Sequence, residues 1–142
     1  MGQSTDAILC YGFSLGDEEG ETPVFLRAPE EDEDGEDKDF DQFLLEKYAP
    51  ELVEWQLEYY DKRQAAINAV GVKLVRHCSC EYPMYILAAS ASVTEASRGN
   101  PVDMGQHITG DITAWTAALK KFCADTDVEY KEPSWILCSD WY

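Results

Sequence analysis

Between Asp17 and Asp41 the chain carries thirteen acidic residues against two basic ones, Arg27 and Lys38. That is −11 of the −17 net charge on all 142 residues. Its densest part, Glu30 to Asp39, contains no apolar side chain. Such a run cannot supply a core strand or the buried stripe of a helix, and like charges one to four positions apart repel in any regular structure. The chain therefore has to fold on either side of it. The expectation is a single domain, 1–142, with an acidic loop inserted at about 17–39.

The flanking sequence can build a core. Hydrophobic residues make up 45% of the chain, with four tryptophans and eight tyrosines, which is ordinary for a globular protein and incompatible with wholesale disorder. At this length no disulfide or metal staple is required. Five cysteines (Cys10, Cys78, Cys80, Cys123 and Cys138) make an odd count, and several lie in apolar runs. Asp6 stands where a secretory leader carries basic charge. These features predict reduced, structural thiols in a cytoplasmic protein. Strong negative charge argues against direct binding of nucleic acid or an anionic membrane and favours a basic protein surface.

Apolar periodicity places the elements. Ala7-Ile8-Leu9-Cys10-Tyr11 reads as a central strand whose end Gly12 and Gly16 loosen, and Val24-Phe25-Leu26 as a short second strand. Phe40, Phe43 and Leu44 recur at helical spacing behind Asp39 as N-cap, and Ala49-Pro50 closes that helix. Glu51 to Val70 reads as the longest helix. Its buried face is Leu52, Trp55, Tyr59, Ala66, Ile67 and Val70, and Gly71 is its stop. Val72–Arg76 and Tyr82–Ala89 form an antiparallel hairpin, with Pro83 at a strand start or an edge. Ser90 to Gly110 reads as a long loop with one helical turn at Val93–Ser97. Asp111 caps a third helix to Ala124, and Ser134–Cys138 is a last strand paired inside the sheet. This order predicts an α+β two-layer sandwich. It has a mostly antiparallel or mixed sheet of four to five strands and about three helices on one face.

Candidate chemistry is sparse. His77, Cys78 and Cys80 combine zinc-binding side chains, but the cysteines are one residue apart and no second pair lies at ligand spacing. His107, Cys123 or Cys10 could join only through the fold. Glu30, Asp32, Asp34, Gly35, Glu36, Lys38 and Asp41 loosely follow the oxygen spacing of a calcium loop. However, a glutamate opens it, an aspartate closes it and Asp37 holds a normally apolar position. Neither pattern supports a metal or cofactor, and no catalytic residue can be named. Hairpin packing is the ordinary explanation for His77–Cys80, and solvation the ordinary one for the acidic run.

Ser4-Thr5-Asp6-Ala7-Ile8-Leu9, the glycine-spotted strand end that follows, and the closing Trp135-Ile136-Leu137-Cys138-Ser139 resemble small acidic hypothetical proteins of tailed bacteriophages. The resemblance covers most of the chain and carries over no catalytic residue. It implies a bacterial host cytoplasm and an accessory role in infection. Some small acidic phage proteins inhibit restriction, CRISPR or transcription machinery by occupying nucleic-acid sites.

The leading expectation is a non-enzymatic acidic binding protein. It would engage a basic, nucleic-acid-handling host protein through Glu30, Glu31, Asp32, Glu33, Asp34, Glu36, Asp37 and Asp39, as an inhibitor acting by DNA mimicry. Trp141, Tyr142 or the 90–110 loop would supply a packed centre. Two other readings are a structural or assembly protein whose loop aids solubility, and a hydrolase or metal-binding protein using His77–Cys80.

Overall fold

The computed structural model describes residues 4–16, 20–105, 108 and 110–142. Its elements are β1 (Thr5–Ser14), α1 (Phe40–Tyr48), α2 (Tyr59–Val70), β2 (Val72–Ser79), β3 (Pro83–Ala89), β4 (Thr94–Ala96), α3 (Ile112–Thr126) and β5 (Ser134–Trp141). The fold is α+β with a mixed five-stranded sheet, as the sequence predicts. The chain divides into two compact units, one built from Met1–Glu21 with Val72–Tyr142 and the other from Thr22–Gly71.

In the first unit β1 is the hub. One edge pairs antiparallel with β5 from Thr5↔Trp141 to Gly12↔Ser134. The other edge is shared: Ala7–Leu9 pairs with β4, then Gly12–Ser14 pairs with β3. β3 continues into the β2 hairpin from Val72↔Ala89 to Cys78↔Pro83, with Pro83 opening its strand. β2 reaches β5 through a short parallel pairing, Cys78↔Asp140 and Ser79↔Trp141. The pairings β1–β3–β2–β5–β1 therefore close a ring, with β4 outside it.

Two local features make the ring work. A Cβ at Gly12 would lie 2.1 Å from the Leu87 carbonyl oxygen and 2.7 Å from the Ala88 Cα. Gly12 is thus a point of close backbone approach between β1 and β3, not a loosened strand end. Between the β4 and β3 pairings the Tyr11 amide has no strand partner. Buried Ser92 fills that gap, its Oγ accepting from Tyr11 N at 2.9 Å and donating to Ala89 O at 2.6 Å. Ser92 sits in a 3₁₀ turn, Ser90–Ser92, and β4 replaces the helical turn expected at Val93–Ser97.

The alternation of β1 sorts two cores. Ile8 and Cys10 join Val75, Ile86 and Ala88 in one cluster, against which Val93, Ile136 and Cys138 pack. Tyr11 and Phe13 serve the other. Tyr11 meets Trp115 and Trp135 at centroid distances of 6.1 and 5.7 Å, and Phe13 meets Tyr130 at 5.9 Å. α3 packs on β3, β1 and β2 and buries Leu119, Phe122 and Cys123. Asp111 caps it by accepting from Ala114 N at 3.0 Å, as its sequence position predicts.

The second unit is α1 packed on α2. α1 begins and ends where Asp39 and Ala49-Pro50 place it, though Asp39 makes no side-chain cap hydrogen bond. Two expectations are corrected here. Val24–Leu26 is a 3₁₀ turn, closed by Leu26 N donating to Pro23 O at 2.9 Å and Arg27 N to Val24 O at 3.2 Å. The second helix starts at Tyr59, not Glu51. Glu58 takes a left-handed backbone (φ 61°), which stops the helix from extending N-terminally through Trp55.

Candidate functional site

The acidic loop is held at its base. Phe25, before the loop, packs edge-on against Phe40 and Phe43, after it, at centroid distances of 6.3 and 5.2 Å. Leu26 beside it is buried. Two hydrogen bonds tie the two arms of the base: Lys38 N to Leu26 O at 2.7 Å, and Ala28 N to Asp37 Oδ1 at 3.0 Å. Within the loop, Asp32 N donates to Pro29 O and Gly35 N to Asp32 O, which makes two consecutive turns. A Cβ on Gly35 would come within 2.9 Å of the Ala28 and Asp32 side chains, so the second turn folds tightly onto the first.

This geometry divides the eight predicted partner-binding acids. Glu30, Glu31, Asp32, Glu33, Asp34 and Glu36 are exposed along the two turns, and among the described residues their carboxylates form no ion pair. Asp37 belongs to the base. The Ala28 amide, the Thr22 hydroxyl and nearby Arg27 hold its carboxyl below the usual carboxylate range. Asp39 leads into α1 and is exposed. Lys38 does not neutralise the turns, because its ammonium reaches Glu46 on α1. That contact, with Gln42, pulls the Glu46 carboxyl downward. Asp17, Glu18 and Glu19, at the start of the acidic stretch, lie outside the described residues.

His77–Cys80 lies where β2 meets β5. Cys78 has a left-handed backbone (φ 79°), and Ser79 Oγ accepts from Tyr82 N in the turn that follows. Half-buried His77 is pushed down from its ordinary value by burial, against an upward pull from Asp140. Asp140 pairs with Arg76 at 3.5 Å and is the register partner of Asp6, which accepts from the Tyr142 hydroxyl at 2.8 Å. Oδ1 of both aspartates is buried without a hydrogen-bond partner. All five cysteines are free thiols. Burial raises Cys10 to about 12 and also raises Cys123 and Cys138, the opposite of what a nucleophile needs. Among the described residues no three His, Cys, Asp or Glu side chains are placed to hold a metal. His107 lies outside them.

An exposed apolar turn includes Trp55, which sequence periodicity places on a buried helix face, and Leu57 and Tyr60, which it leaves outside that face. Trp55, Leu57 and Tyr60 are 85%, 84% and 81% exposed. They line a concavity of ≈ 580 Å³ together with Glu54, Glu58 and Asp61. The signal available in the sequence is that Leu57 and Tyr60 fall off the helical stripe of Leu52, Trp55 and Tyr59, so one helix could not bury all of them on one face.

No protein-family model matches the chain, and neither a curated protein nor a solved structure matches it. No helix among the described residues is long and apolar enough to cross a membrane.

Proposed function

We propose that the protein is a non-enzymatic, acidic binding protein of a bacterial cytoplasm. It engages a basic, nucleic-acid-handling protein through Glu30, Glu31, Asp32, Glu33, Asp34, Glu36, Asp37 and Asp39. The observation that carries this reading is the run of exposed carboxylates on two turns whose base is clasped by Phe25, Phe40 and Phe43. Ordinary solubility needs charge spread over a surface, and not concentrated on one excursion. Carboxylates so concentrated match a groove that binds phosphates, and they draw in a basic partner by long-range attraction. Together with the resemblance to small phage proteins, this supports reading the protein as a phage-encoded inhibitor of host defence or host enzymes that acts by DNA mimicry.

The test begins with capture of the partner from host lysate. The partner is then titrated against wild type and a variant with the eight acids changed to Asn or Gln. Asparagine at position 37 retains an oxygen to accept from Ala28 N, so the base of the loop survives. The expected outcome is slower association and weaker affinity for the variant, with a difference that shrinks as salt rises, since exposed charges are screened over roughly 8 Å at physiological ionic strength. Equal affinity and equal association rate at low salt overturn the proposal.

A further inference from the structure

We propose that the Trp55–Leu57–Tyr60 turn is the apolar centre of a docking surface for a basic, amphipathic segment of a partner protein. The inference rests on the reading above that the partner is basic, and it names a contact that the acidic loop cannot make. The turn is built to face outward. Gln56 organises it, with its amide donating to Val53 O at 3.0 Å and its side-chain oxygen accepting from Val53 N at 3.3 Å. Left-handed Glu58 then redirects the chain into α2, where Tyr59 and Tyr60 stack edge-to-face at 5.4 Å. An exposed leucine alone would mean nothing. A tryptophan, a leucine and a tyrosine, each more than four-fifths exposed within six residues and lining one concavity, form a patch of the kind that marks an interaction site. Tryptophan and tyrosine are also the side chains that dominate binding energy when desolvated.

The charges around the patch select the occupant. Glu54, Glu58 and Asp61 alternate with the apolar side chains and are exposed. Of the nearby cations, Arg63 reaches toward Asp41 at 3.8 Å and Lys62 directly follows Asp61. From Thr22 to Gly71 fourteen acids face five bases. A second copy seated symmetrically on this patch would set the same carboxylates against one another. Nucleic acid or an anionic membrane would meet like charge. A segment with one apolar face flanked by lysine and arginine satisfies both the patch and its rim.

The test uses the full chain and two synthetic probes of 18 residues. One is a leucine–lysine peptide with a single apolar helical face, and the other is a scrambled peptide of the same composition with no such face. Wild type is expected to bind the first at least tenfold tighter, with a blue shift of tryptophan fluorescence. Changing Trp55, Leu57 and Tyr60 together to Ser should abolish that preference while leaving salt-dependent binding of both peptides. If the triple variant unfolds, Trp55→Ala provides the same comparison. The eight-acid loop variant should show weaker salt-dependent attraction to both peptides, with Glu54, Glu58 and Asp61 still in place, yet keep the preference between them, so the loop reading and the patch reading fail separately. Absence of a preference in wild type, or its survival in the patch variants, overturns the inference. So does a dimer of the free chain, seen by sedimentation, that the patch variants dissolve, because the occupant would then be a second copy.

Discussion

The two compact units differ in how much they bury. The unit of Met1–Glu21 and Val72–Tyr142 encloses Ile8, Cys10, Tyr11, Phe13, Val72, Val75, Ile86, Leu87, Ala88, Ala89, Leu119, Phe122 and Cys123. The unit of Thr22–Gly71 encloses Leu26, Leu44 and Ala49, and α2 fully buries none of its residues. Conversely, the second unit carries the acidic turns and the exposed Trp55–Tyr60 patch. The buried core and the surfaces proposed for binding are thus segregated, and segments that bind are generally drawn from the less stable part of a fold. The expectation is that the second unit opens at lower free energy than the sheet.

The most damaging change should be Gly12→Ala. The added methyl has to displace the backbone of Leu87 and Ala88, and overpacking of this kind costs up to about 3 kcal/mol. A urea titration checks it, and a loss well under 1 kcal/mol would mean that β1 and β3 do not approach as described. Leu44→Ala should cost about 2 to 3 kcal/mol within the second unit. Hydrogen exchange should then accelerate in α1 and α2 while the β2–β3 amides keep their protection. Equal loss of protection in both places would erase the distinction between the units.

A smaller effect appears with alkali. The Cys10 thiol, at about 12, titrates above its ordinary value near 9 because burial, and next the Cys138 thiol, oppose the thiolate. A raised thiol pKa favours the protonated form in the folded chain. The unfolded chain therefore gains from ionisation first as pH rises. The contribution of Cys10 to stability is constant below about 9 and is lost between 9 and 12, by about 1.4 kcal/mol per pH unit at most. Comparing urea midpoints of wild type and Cys10→Ala at pH 8 and pH 10 isolates the contribution, which should be absent in the variant. An identical pH response in both proteins would remove Cys10 as its source.

How much of this was legible in the sequence depended on whether the deciding contact was local. Asp111 and the period of Trp115, Leu119 and Phe122 placed the start and the buried face of α3, because a cap and a 3.6-residue period are both local, although the helix runs to Thr126 instead of Ala124 and Ile112 is exposed. The β2–β3 hairpin and α1 followed for the same reason. Gly12 was misread because its role is a contact with Leu87, far along the chain. β4 is three residues long and has no period of its own. The helix expected from Glu51 failed at Glu58, whose left-handed backbone no side-chain pattern announces. With that turn the predicted core residue Trp55 became the most exposed apolar side chain of its unit. The eight acids could be named from charge alone, but the different position of Asp37 required the Ala28 amide to be seen across the loop.

The clasp at the base of the acidic loop bears on the thermodynamics of capture. A free acidic tail gives up much of its backbone freedom at the moment it binds, and that loss is subtracted from its affinity. Here the hydrogen bonds Lys38 N–Leu26 O and Ala28 N–Asp37 Oδ1, with the Phe25 ring packed edge-on against Phe40 and Phe43, fix the loop's ends in the folded chain. The carboxylates of the two turns are therefore held together even in the unbound protein, at the cost of their mutual repulsion. A cationic partner of the kind proposed would relieve that repulsion on arrival, so electrostatic strain held in the free loop would become part of the driving force for association.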